Sequence, residues 1–220
     1  MRSFKHWTPR YVYHRLGLMV YERLHPNAPW LVRTTVELLD SWLRPDDRGL
    51  EWGSGRSTAW FAQRVKTLVS IEHDTAWYAW VTKDLQRKGL SNVDYRLCQD
   101  ENYYRSADEF PSESLDFCLV DGIERDHCAL AAISIVKPGG LIIVDNCNWY
   151  LPSNSCSPYS LREKQAPHTP RWGMYLEGVA EWRKIWMSNG VCDTALWVKP
   201  TPLDQRNERA DLLEQILSSR

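Results

Sequence analysis

The stretch Leu50-Glu51-Trp52-Gly53-Ser54-Gly55-Arg56-Ser57-Thr58 decides how this chain is read. Leu50 to Trp52 suits a short strand and Ser57 to Val65 a helix, so the two glycines fall where one becomes the other. Glycine at such a junction permits unusual dihedrals and lets a ligand approach the backbone closely. The N–H groups at the start of the following helix favour an anionic group. Thr67 to Glu72 suits a second strand ending in an acid, nineteen residues after Gly53. An acid at that distance accepts hydrogen bonds from a ribose diol in nucleotide-binding α/β folds, so the two signals together predict an adenosine-containing cofactor.

Downstream of the turn, strand and helix alternate. Asp74 can cap a helix running to Lys88, which Gly89 ends. Val93 to Leu97 and Leu115 to Val120 read as third and fourth strands, with a helix from about Asp126 to Val136. Lys137-Pro138-Gly139-Gly140 then leads into a fifth strand, Leu141 to Val144. Strands separated by helices imply a parallel sheet with right-handed crossovers. Trp182 to Met187 and Thr194 to Val198 flank Ser188-Asn189-Gly190, a hairpin signal. The expected fold is therefore α/β: a doubly wound, mostly parallel seven-stranded sheet closed by an antiparallel C-terminal strand pair.

Upstream, residues 10–24 and Leu31 to Trp42 carry apolar side chains at helical spacing, separated by His25-Pro26-Asn27-Ala28-Pro29. They are read as an N-terminal helical cap over residues 1–47, ahead of a main domain at 48–200 and a C-terminal helix within 201–220. The 147–180 segment, rich in Pro, Ser and Asn, is long for an irregular connection and is read as a substrate lid.

Composition narrows the partners. With 27 Lys+Arg against 28 Asp+Glu and no basic stripe, no nucleic-acid partner is expected. The longest apolar runs are strand-sized, so no membrane span is expected either. The N-terminus lacks the apolar core of a signal peptide, and a cytoplasmic location is expected. The six cysteines contain no C-x-x-C pair and read as free thiols. The twelve tryptophans read as packing residues ahead of any stacking surface. Oligomeric state is not legible.

A dinucleotide fingerprint needs a third glycine at position 58, where Thr58 stands. The chain instead resembles the class I, S-adenosylmethionine-dependent methyltransferases, whose first motif is acid-x-Gly-x-Gly-x-[Gly or Ser]; Glu51, Gly53, Gly55 and Ser57 match it. The resemblance continues through Ser70-Ile71-Glu72-His73-Asp74, Leu119-Val120-Asp121-Gly122 and Val136-Lys137-Pro138-Gly139-Gly140-Leu141, and covers about residues 48–200. It implies a Rossmann-like fold and S-adenosylmethionine as cofactor. The binding residues it implies are Glu51, Gly53, Ser54, Gly55, Ser57, Thr58, Glu72, His73, Asp100 and Asp121. Gly53 and Gly55 would face the methionine part, Glu51 its amino group, and Glu72 the ribose hydroxyls. Asp100 is matched loosely to an adenine contact, with other candidates in Cys98-Gln99-Asp100-Glu101.

Asp121 together with Asp145-Asn146 is also similar to the metal-dependent catechol and caffeoyl-CoA O-methyltransferases. There an Asp after the fourth strand and an Asp-Asn after the fifth bind a divalent ion. That implies a candidate site for Mg²⁺ or another divalent cation at Asp121, Asp145 and Asn146. Metal-free relatives carry acids at the same strand ends, so both alternatives stay open. Those enzymes place a Lys shortly after the first Asp, whereas this chain has Gly122-Ile123-Glu124-Arg125-Asp126-His127. The candidate catalytic residues are Asp121, Glu124 and His127. The expected activity is methyl transfer to a small molecule, to a hydroxyl ahead of a nitrogen. A nucleotide-linked, NAD-type oxidoreductase and a non-catalytic cofactor-binding protein remain as alternatives.

Overall fold

A computed structural model describes residues 7–203. The expected C-terminal helix falls almost wholly on residues 204–220 and lies outside the described residues. Thr8 caps α1 (Pro9–Leu24) by accepting from the Tyr11 N–H, with Pro9 at the first helical position. After the break at 25–29 comes α2 (Arg33–Trp42). The alternating part then runs β1 (Arg48–Trp52), α3 (Arg56–Ala62), β2 (Thr67–Glu72), α4 (Thr75–Arg87), β3 (Val93–Leu97), α5 (Asn102–Arg105) and β4 (Leu115–Val120). It ends with α6 (Arg125–Ile135), β5 (Val136–Asp145), α7 (Pro170–Gly178), β6 (Arg183–Ser188) and β7 (Asp193–Val198).

The strands form one seven-stranded sheet in the order β3-β2-β1-β4-β5-β7-β6. The first five are parallel, and β7 runs antiparallel to both β5 and β6. The doubly wound mixed sheet is therefore as expected. Strand order reverses direction between β1 and β4, so the crevice outside their carboxyl ends is where such folds bind ligands.

Side chains alternate between two buried faces with a period of two. Leu141, Ile143, Phe117, Leu119 and Leu196 face one core, and Ile142, Val144, Cys118, Val120 and Trp197 face the other. Val36 and Leu39 of α2 join the first core. This helix is thus a layer of the sandwich, and of the expected cap only α1 stands off, with no buried residue.

Two readings are corrected. The fifth strand begins at Val136 rather than Leu141, because Pro138 to Gly140 form an irregularity within the strand rather than a turn before it. A Cβ at Gly140 would lie 2.6 Å from the Asp116 carbonyl oxygen, and Gly139 has φ +81. The 147–180 segment is not irregular throughout. Thr169 caps α7, whose buried Trp172 and Tyr175 belong to the same core as Ala129 and Ala132 of α6. Among the described residues, no helix is long and apolar enough to cross a membrane.

Candidate active site

Strand β1 delivers Glu51 to the crevice at 0% exposure. Its Oε2 accepts from Thr58 Oγ1 at 2.6 Å and Ser70 Oγ at 2.7 Å, and Thr58 Oγ1 accepts from the Gly55 N–H at 3.0 Å. Oε1 is buried with no hydrogen-bond partner. Burial pushes this carboxyl up to about 7, against the pull of the Thr58 and Ser70 hydroxyls that bond it. At the other end of the turn, the Arg56 guanidinium lies 4.9 Å from the Trp30 ring centroid, with Nη1 buried and unpartnered. Gly53 has φ +95, and a Cβ there would fall 2.5 Å from the Gly122 nitrogen. Only glycine lets the β1 turn pass so close to the β4 turn.

Glu72 ends β2 beside the same turn. Its Oε2 accepts from the Ser54 N–H at 3.2 Å and Ser54 Oγ at 2.6 Å, and its Oε1 accepts from the His73 and Asp74 N–H groups at 2.8 and 2.9 Å. Ser54 Oγ also lies 2.7 Å from the Tyr95 hydroxyl. Glu72, the acid expected to face a ribose, thus helps to build the turn. His73 sits beside it, Nδ1 lying 3.0 Å from Oε1. Ser57 is buried at the start of α3. Asp100 stands exposed in a left-handed turn after β3, and none of the hydrogen bonds around Glu51, Ser54 and Glu72 reaches it.

Aromatic rings flank the turn. Trp77 donates through Nε1 to the Ser54 carbonyl at 2.8 Å, with its ring 4.8 Å from Trp80 and 6.2 Å from Trp30. Trp52, Trp172 and Trp197 are fully buried packing residues, as expected, whereas Trp30 and Trp80 are exposed.

At the ends of β4 and β5, one arginine gathers the groups expected to hold a metal. Arg125 Nε donates to the Gly122 carbonyl at 2.7 Å. Nη1 donates to the Asp145 carbonyl at 2.6 Å and Asn146 Oδ1 at 3.3 Å, and Nη2 to the Asp121 carbonyl at 2.6 Å and Asp121 Oδ1 at 3.1 Å. The Asp145 carboxylate, 3% exposed, accepts from Thr194 Oγ1. Burial holds the Asp121 and Asp145 carboxyls above the usual carboxylate range, and Asp121's charge adds to the effect on Asp145. A divalent ion does not fit these residues as they stand, because a cationic side chain lies among them.

Glu124 and His127 lie just beyond. Glu124 adopts φ 45 at the start of α6. The His127 ring stacks on Tyr104 at 4.2 Å, with Nε2 3.9 Å from Glu124. Asp126, 8% exposed, accepts from Thr169 Oγ1 at 2.7 Å and the His127 N–H at 3.0 Å, which ties the entrance of α7 to α6.

A cleft of about 1070 Å³ opens between α1, the 154–162 loop and the β6–β7 hairpin. Arg10, His14, Arg33 and Arg162 line it with tyrosine and serine hydroxyls, and no Asp or Glu lies among the described lining residues. Arg33 pairs with Glu37, which is outside the lining, at 2.8 Å. Val32, also lining the cleft, donates to Thr194 Oγ1 at 3.2 Å, which joins the cleft wall to the end of β5. Asp121, Glu124 and His127 do not line it.

Sequence reasoning missed Trp30, Trp77, Tyr95 and Thr194, and it treated Arg125 only as a departure from the expected lysine. No sequence spacing marks Arg125, which is the first residue of α6 and meets its partners only through the neighbouring strand ends.

Neither a protein-family model nor a curated protein sequence matches the chain. Solved structures do resemble it. A protein provisionally named an O-methyltransferase, from Klebsiella pneumoniae, matches with TM-score 0.58 and 18% identity over 88% of this chain and 91% of that one. One provisionally named a caffeoyl-CoA O-methyltransferase, from Staphylococcus aureus, matches with TM-score 0.56 and 15% identity over 89% and 95%. An rRNA methylase from Streptococcus thermophilus matches with TM-score 0.53 and 14% identity over 79% and 100%. At such identities the likeness concerns the fold, which is the Rossmann-like fold of the class I S-adenosylmethionine-dependent methyltransferases.

Proposed function

We propose that the chain is a methyltransferase that transfers the methyl group of S-adenosylmethionine to a hydroxyl of a small, negatively charged acceptor. One observation carries the cofactor assignment. The glycine turn ends in two buried, unpartnered atoms of opposite charge, Glu51 Oε1 and Arg56 Nη1. The methionine end of the cofactor is a zwitterion, and its ammonium and carboxylate suit an acid and a guanidinium. Glu72 is the acid for the ribose, sharing its Oε2 with Ser54, and Trp77 and Trp30 offer ring faces beside the turn.

When bound, S-adenosylmethionine supplies an electrophilic methyl carbon. The residues of this chain then have to hold an acceptor in line with it and receive a proton. The cleft beside the β5 end supports the acceptor assignment, since Arg10, Arg162 and His14 line it together with Arg33, which is paired with Glu37, and no Asp or Glu is among the described lining residues. His14 is the imidazole in this cleft and the candidate proton acceptor. Glu124 and His127 are set apart from it by their placement at the start of α6.

The experiment is a thermal-shift comparison of S-adenosylhomocysteine with NAD, followed by transfer of labelled methyl to phosphorylated and carboxylated sugars and phenols, neutral analogues and an RNA oligonucleotide. A ligand that binds only the native state raises stability. Stabilisation by NAD alone would sink the cofactor assignment, and labelling of RNA alone would sink the acceptor class.

A further inference from the structure

We infer that Arg125 is a built-in cation standing where a divalent ion would have to bind, so the crevice is arranged to work without one. The argument is one of geometry. A guanidinium has five N–H donors, and all five of Arg125's are used: three on the carbonyls of Gly122, Asp121 and Asp145, and two on the side chains of Asp121 and Asn146. The side chain is 11% exposed and carries the fixed positive charge of a guanidinium.

Mg²⁺ needs oxygen ligands at roughly 2.0–2.1 Å converging on one point. Here Asp121 Oδ1 and Asn146 Oδ1 both point at guanidinium nitrogens, and Asp145 gives a carboxylate oxygen to Thr194. A dication among these groups would also sit beside a fixed positive charge in a poorly solvated place. Arg125 thereby does two things a metal would do. It offsets the paired acids at the β4 and β5 ends, and it fixes the two turns relative to each other. It is a positioning residue, and this role stands whether or not the methyl-transfer proposal holds.

The test needs no acceptor. Mn²⁺ is titrated into the full chain and free Mn²⁺ is followed by electron paramagnetic resonance, the quantity read being the binding that Asp145→Asn removes. Wild type is expected to show none. Arg125→Met should bind about one equivalent, as an opened site of oxygen ligands would, and Arg125→Met/Asp145→Asn should lose it. Arg125→Lys, which keeps the charge, should exclude Mn²⁺ as wild type does. Asp145-dependent binding by wild type overturns the inference. So does an Arg125→Met protein that folds by circular dichroism yet binds no Mn²⁺. If Arg125→Met does not fold, the wild-type and Asp145→Asn titrations decide the matter.

Discussion

Glu51→Gln tests the physics of the glycine turn directly. The Glu51 carboxyl is fully buried and pushed up from 4.5 to about 7. A folded-state value above the unfolded one means the native chain keeps a proton that the unfolded chain releases. Stability from this group is therefore greatest at low pH and falls as pH rises from the unfolded value through the folded one. A gap of that size is worth about 3 kcal/mol, nearly all of it lost by about pH 8. Glutamine keeps the shape and cannot ionise, but its amide nitrogen would take the unpartnered Oε1 position at a cost of about 1 kcal/mol. Urea unfolding should find variant and wild type nearly equal at about pH 5, with the variant more stable by about 2 kcal/mol at about pH 9. The raised Asp145 is present in both proteins and drops out of the difference, while the charge of Asp121, itself one cause of the Glu51 shift, acts in the same direction. A difference that stays constant with pH would refute the buried-carboxylate reasoning. Calorimetry should show S-adenosylhomocysteine binding weakened by about tenfold or more in the variant, because a charged hydrogen-bond acceptor is gone.

Gly53→Ala should cost more than about 2 kcal/mol in denaturant unfolding, since the new Cβ meets Gly122 backbone while φ stays left-handed. Glu124→Gly should raise stability by about 1 kcal/mol by relieving a left-handed glutamate, with acceptor turnover unchanged because Glu124 does not line the cleft. Arg162→Ala should raise KM for an anionic acceptor about tenfold while leaving S-adenosylhomocysteine affinity alone, a split read from steady-state kinetics beside calorimetry. His14→Gln should lower kcat about a hundredfold with little change in cofactor affinity; full kcat would remove it as the proton acceptor.

What could be read from sequence was local. The turn at 51–58 and Glu72 are fixed by neighbouring residues and by strand length, and the alternation of Leu141 to Val144 marks a strand buried on both faces. Helix α7 was hidden by composition. Pro170, Gly173 and the preceding Ser, Pro and Asn suggest a loop, while Trp172, Tyr175 and Val179 at helical spacing are what buried it. Tertiary packing there outweighs weak local propensity. Arg125 was illegible for a different reason. Its partners come from the ends of two strands, and their nearness is a property of the sheet. The cleft beside α1 joins residues from positions 8 to 190, and no spacing rule connects them.

The order of strands also sets a timetable. β1 can pair with β2 as soon as residue 72 exists, but its other edge waits for β4, which begins at residue 115. Gly53 packs against Gly122, and the Arg125 clamp needs Asp145 and Asn146. A chain growing from a ribosome folds from its first-made end, yet non-local pairings such as this one form late. Until β4 has been made, the open flank of the glycine turn is an unpaired strand edge, and the Arg125 clamp waits longer, for Asn146. The turn at Gly53 is therefore completed late, by closure of the sheet's centre, and the clamp that fixes its neighbour follows.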